Sequence, residues 1–153
     1  MKKLIGFLEG HRIEYYLESN QGLFASANLR NRLIQISLGD SEEDSEEGQK
    51  KIESIKWFLD LLIEDPSLID YEDVNKLSFV NHSIPYELIA AEYDGDFHML
   101  RSTVPVFGPD SGEIGLKGIN KKTAIERVLK HIKREKKDTI AFGDGNNDLA
   151  MFE

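Results

Sequence analysis

The sequence contains no cysteine. That excludes a disulfide framework and any thiolate metal site. No stretch approaches the ~20 consecutive apolar residues needed to cross a bilayer as a helix. The opening MKKLIGFLEGHRIEYY begins basic but holds no sustained apolar core, so it does not read as a secretory signal. Basic residues are in deficit: 19 Lys and Arg stand against 28 Asp and Glu, for a formal charge of -9. Nucleic-acid backbones and anionic membrane surfaces are held by Lys and Arg, so neither is expected as a partner. A cytoplasmic location is the expectation. In that setting the glycosylation-like triplet NHS at 81–83 is a chance match.

What is present suits a globular chain. Of 153 residues, 40% are hydrophobic and 31% charged, enough for one domain or two small ones. KKLIGFLEG places Leu4, Ile5 and Leu8 at helical spacing and stops at Gly10. In RIEYYLES, Ile13, Tyr15 and Leu17 alternate as in a strand, and LFAS after the NQG turn reads as its return. A short helix is expected over 28–36. GDSEEDSEEGQ follows, eleven residues without an aliphatic or aromatic side chain. It reads as a solvated loop whose acids suit a helix start, with a cation site as the other reading. KKIESIKWFLDLLIED then puts Ile52, Ile55, Phe58, Leu59 and Leu62 on one face, up to Pro66. Trp57 borders that stripe and is read as a packing residue.

KLSFVNH and YELIAAEY are strand candidates, and GEIGL is a short strand. NKKTAIERVLKHIKREKK is an amphipathic helix with Asn120 as N-cap and a stripe of Ala124, Ile125, Val128, Leu129 and Ile132. DTIAF is an apolar strand and DLAMFE begins a further helix. The four histidines, His11, His82, His98 and His131, show no metal-ligand spacing. Helix, strand, loop and helix start form a piece of a parallel βα sheet. In such sheets ligands bind beyond the carboxyl ends of strands. FGDGNND sits there. Gly143 and Gly145 allow a tight turn, and Asp144 and Asp148 can bring two carboxylates together, an arrangement Mg²⁺ accepts. The bland alternative is a plain loop in which Asp148 caps a helix. Lys121 and Lys122 open the preceding helix, where cations oppose the helix dipole unless an anion joins them. Two solvated lysines are the other reading there.

FGDGNNDLAM resembles the fourth motif of the haloacid dehalogenase superfamily, G-D-x-x-N-D-x-x-M. GINKKTAI upstream is similar to the third motif of its Cof-type branch, with Lys122 in place of the usual glycine. The opening RIEYYLESNQGLFAS resembles that branch's cap hairpin. The resemblance implies an α/β protein: a mixed αβ cap of the C2 type over 1–115, then a fragment of the Rossmann-like core over 116–153. It implies a Mg²⁺-dependent phosphatase for a small phosphorylated metabolite such as a sugar phosphate. Asp144 would be a metal ligand, and Asp148 a second ligand or the residue that holds one in place. Asn147 would orient the phosphate, and Lys121 would offset its charge. A cap would cover the site as a lid does.

The family's chemistry also needs a nucleophilic aspartate in a D-x-D-G-T motif before the cap. None is present. Asp94 and Asp96 in AAEYDGDFH have the mutual spacing, but Phe97 and His98 replace Gly and Thr, and a turn is the better reading. The chain therefore reads as truncated at both ends and inactive alone. Its DTIAF strand, lacking neighbours, is expected to pack on the cap, pair with a second copy, or stay poorly ordered. Two other readings remain: a non-catalytic cap-like binding module, or another branch such as the phosphoserine phosphatases. The phosphorylation domain of P-type ATPases shares the GDGNND pattern but belongs with membrane spans.

Overall fold

A computed structural model describes residues 1–152, apart from the side chains of Asn146 and Asn147. The chain forms two compact units, Met1–Gly115 and Leu116–Glu153.

The first unit is built on a six-stranded mixed sheet. Helix α1 (Lys2–Gly10) leads into β1 (Glu14–Ser19), which turns back as β2 (Gly22–Ala25). Helices α2 (Leu29–Leu38) and α3 (Glu46–Leu59) precede β3 (Leu62–Ile63) and β4 (Val74–Val80). Helix α4 (Tyr86–Tyr93), β5 (Phe97–Arg101) and β6 (Gly112–Leu116) complete it, in the order β3-β2-β1-β4-β6-β5. Only β2 and β3 are parallel among the described pairings; β1 runs antiparallel to β2 and β4, and β4 to β6.

The period of two along the strands sorts the side chains. Tyr15, Leu17, Leu77, Phe79 and Ile114 turn to one face and are buried with Leu4 and Leu8 of α1 and Ile89 of α4. The register sets Leu17 opposite Leu77 and Leu77 opposite Ile114. Tyr16, Glu18, Lys76, Ser78 and Glu113 alternate with them. On that face Lys76 bridges Glu18 at 3.1 Å and Glu113 at 3.0 Å. A second apolar cluster joins Leu29, Leu33, Leu59 and Leu62 to Val80.

Three expectations for this unit need correction. YELIAAEY is helix α4, not a strand. Tyr86, Ile89 and Tyr93 are its buried positions, a helical i, i+3, i+7 spacing, and Pro85 stands at its N-cap. The helix expected to reach Pro66 stops at Leu59, because Leu62 and Ile63 pair with Leu23 and Phe24 of β2. Trp57 packs only in part: its ring meets Phe58 edge-on at 5.7 Å, but it is 68% exposed and lines an apolar cavity of about 300 Å³ with Tyr16, Phe58 and Phe107. The acidic loop behaves as a helix start. Ser45 caps α3 by accepting from the Gly48 N–H, and Glu46 and Glu47 occupy the first turn. Asp94 caps the end of α4 and Asp96 lies in the exposed turn before β5.

The second unit holds α5 (Lys121–His131) and a 3₁₀ segment over Asn146–Phe152. DLAMFE is thus tighter than the expected α-helix: the Asp148 N–H donates to the Gly145 carbonyl at 2.9 Å. Of the α5 stripe only Leu129 is buried, while Val128 and Ile132 are more than half exposed. DTIAF forms no strand. A strand exists through its ladder, and among its described residues the second unit forms no other strand that could pair with it. Ile140 and Phe142 stand 84% and 86% exposed.

Candidate functional site

Helix α5 begins in a defined way. Gly118 has φ 78°, the left-handed region where glycine carries no steric cost. Asn120 then accepts from the Thr123 N–H at 2.9 Å, and the Thr123 hydroxyl accepts from the Asn120 N–H at 3.0 Å. This reciprocal cap satisfies two of the helix's orphan donors and fixes the direction of the first turn. Lys121 is its first residue.

The loop 143–148 closes on the same point. Lys121 Nζ donates to Asp148 Oδ1. Asp148 Oδ2 accepts from the backbone N–H groups of Asp144 and Gly145, each at 3.1 Å. Asp148 is 5% exposed and its carboxylate is three times hydrogen-bonded, as a buried charge must be. The Lys121 bond, then the Gly145 and Asp144 amides, outweigh desolvation and hold the carboxyl below the usual aspartate value. Gly143 makes the approach feasible. A Cβ there would come within 2.6 Å of the Asp148 side chain and of Met151 Cε. Only glycine admits the loop so close.

Asp144 is different. It is exposed, and its carboxylate takes no hydrogen bond among the described residues. The structure therefore brings Lys121, Asp144 and Asp148 into one loop-and-helix start but gives the two aspartates unlike surroundings. Asn147 lies outside the described side chains. Among the described residues no three His, Cys, Asp or Glu gather as a metal-binding group. Asp148 has both oxygens engaged, which leaves Asp144 as the carboxylate open to a cation. Sequence reasoning named all three but could not see the direct pairing of Lys121 with Asp148. The only signal was the chemistry: a lysine at a helix N-terminus needs an anion.

Residues 1–153 match the family of haloacid dehalogenase-like hydrolases. The chain belongs to that family. The agreement covers both motifs and the hairpin that suggested it, and the Cof-type reading stands. No protein of curated function matches the chain. Solved structures share its fold. A haloacid dehalogenase-like hydrolase from Bacteroides thetaiotaomicron is 18% identical with a TM-score of 0.61, covering 99% of this chain and 50% of that one. One from B. subtilis is 14% identical with a TM-score of 0.61, covering 99% and 55%. A member of the superfamily's phosphatases, also from Bacteroides thetaiotaomicron, is 16% identical with a TM-score of 0.58, covering 98% and 48%. The haloacid dehalogenase-like chain thus spans about half the length of the solved structures it matches. No helix among its described residues is long and apolar enough to cross a membrane.

Proposed function

We propose that this chain supplies a cap, residues 1–115, and part of the catalytic core, residues 116–153, of a cytoplasmic Mg²⁺-dependent phosphatase acting on a small phosphorylated metabolite. The observation that supports the reading is the Lys121–Asp148 pair beside the open Asp144 carboxylate. Mg²⁺ is held in many phosphate sites by one or two carboxylates, water and phosphate oxygens, and Asp144 fits that requirement. A bound Mg²⁺ would polarise a phosphoryl oxygen. Lys121 would offset charge on the phosphate, aided by the positive end of α5. Asp148 would act as a positioning residue: it fixes the ammonium of Lys121 and the backbone of the 143–145 turn. Asn147 would orient the phosphate.

No D-x-D-G-T nucleophile is present in this sequence. The chain by itself is therefore expected to bind phosphate without hydrolysing its esters. The test has two arms. Inorganic phosphate, added with Mg²⁺ to the ¹⁵N-labelled chain, should move the amide signals of Lys121 and of 143–145, and Lys121→Gln should abolish this. Sugar phosphates and an aryl phosphate should release no phosphate. Silence at Lys121 would contradict the site and favour a non-catalytic cap-like module. Turnover that requires Asp144 would contradict the incomplete-site reading.

A further inference from the structure

The first unit carries a cavity of about 560 Å³ that the phosphatase reading does not use. It is walled by the turn after α1, the start of β1, the end of β2 and the first turn of α2. Because β4 is antiparallel to both β1 and β6, the start of β1 lies at the end of the sheet opposite the carboxyl end of β6. The chain leaves for the second unit at that carboxyl end, so the cavity sits at the far end of the sheet.

Two arginines, Arg12 and Arg32, line it. Neither guanidinium is hydrogen-bonded or ion-paired among the described residues. The acids of the same wall are engaged with neutral donors instead. Glu9 accepts from the Tyr15 hydroxyl at 3.0 Å, and Glu14 from the Ser26 hydroxyl at 2.5 Å. The Arg32 charge reaches the neighbouring His82, whose imidazole is held below its usual value by partial desolvation and then by that charge.

Arg12 has φ 56° and closes α1, with the Ile13 N–H donating to the Leu8 carbonyl at 2.9 Å. Lys133 closes α5 with the same φ, so the left-handed residue is a helix stop, and Arg12 lines the cavity from that position.

We propose that this cavity binds the oxyanion group, phosphate or carboxylate, of a small hydroxylated molecule, held between Arg12 and Arg32. Guanidinium forks match both groups in geometry and charge. The first turn of α2, whose Asn28 makes no side-chain capping bond, presents its positive end to the same cavity. Glu9 and Glu14 keep acceptor capacity for ligand hydroxyls, since each is engaged by one donor. The site draws on no residue of the second unit, so it stands or falls apart from the phosphatase reading.

The test uses the ¹⁵N-labelled 153-residue chain, titrated with inorganic phosphate and separately with acetate, at constant ionic strength and without Mg²⁺. Amides of residues 12–15 and 26–32 should shift saturably, and should still do so in Lys121→Gln. Arg12→Gly and Arg32→Gln should each weaken the affinity about tenfold or more. Arg12→Gly keeps the test free of folding failure: it relieves the left-handed strain, so its melting temperature without ligand should hold or rise while binding is lost. The tighter of phosphate and acetate tells which oxyanion the site prefers. Absence of shifts at these residues, or shifts that survive both arginine substitutions, would overturn the proposal.

Discussion

Lys121 and Asp148 meet across 27 residues of sequence, ammonium to buried carboxylate. The pair joins the start of α5 to the glycine-rich turn, and it gives Asp148 a positioning task while Asp144 stays open. Asp148→Asn should release Lys121 and loosen the turn. The pH dependence follows from the direction of the shift. A carboxyl held below its usual value stabilises the fold fully above ~3.9, and the contribution is lost as pH falls through its lowered folded value. Acid unfolding followed at the 143–148 amides should therefore show a step below ~pH 4 in the native chain. Asp148→Asn should lack it.

Gly143 has no room for a side chain. Its would-be Cβ meets the Cβ and Cγ of Asp148 and the end of Met151. Gly143→Ala should displace the turn and destabilise the second unit by about 1–3 kcal/mol, the usual cost of overpacking. Hydrogen exchange at 143–148 is the check, with faster exchange expected in the variant and unchanged exchange in β1 and β4.

Leu17 is wholly buried in the middle of the first unit's sheet, opposite Leu77. Leu17→Ala removes packing against α1 and α4 and should cost about 2–5 kcal/mol. Denaturant unfolding, read by the far-ultraviolet dichroism of the first unit, measures it.

Ile140 and Phe142 expose apolar surface on a segment that joins no strand ladder among the described residues. Such segments recruit strands. We propose that the isolated chain self-associates through residues 139–142. Sedimentation should show concentration-dependent association that Ile140→Lys with Phe142→Lys abolishes. Association unaltered by the double change would place the interface elsewhere.

The sequence was most legible where periodicity and burial agree. β1 alternates because one of its faces meets the core, whereas α5 was marked by its Asn120 cap, since of its stripe only Leu129 is buried. YELIAAEY misled because Tyr, Ile and Ala suit either element over eight residues, and the packing of Ile89 against the sheet decided for helix. The end of α3 was set by the pairing of Leu62 with Leu23, a tertiary event invisible to local propensity. DTIAF reads as a strand by composition, yet pairing and not composition makes a strand. At the site, the residue types and spacing of Lys121, Asp144 and Asp148 were legible. Their division of labour was not, since it depends on which oxygens of Asp148 the Asp144 and Gly145 amides reach. The cavity of Arg12 and Arg32 left no local signature because the fold of the β1–β2 hairpin brings residues 9–15 and 26–32 together.

The role proposed for Asp144 as a metal ligand is tested most directly by Mn²⁺ standing in for Mg²⁺. Paramagnetic broadening of the ¹⁵N-labelled chain should centre on Gly143 to Gly145 at low Mn²⁺ and vanish from there in Asp144→Asn, with Lys121 still paired to Asp148. Broadening that centres on the acidic loop 40–47, or that Asp144→Asn leaves unchanged, would contradict it.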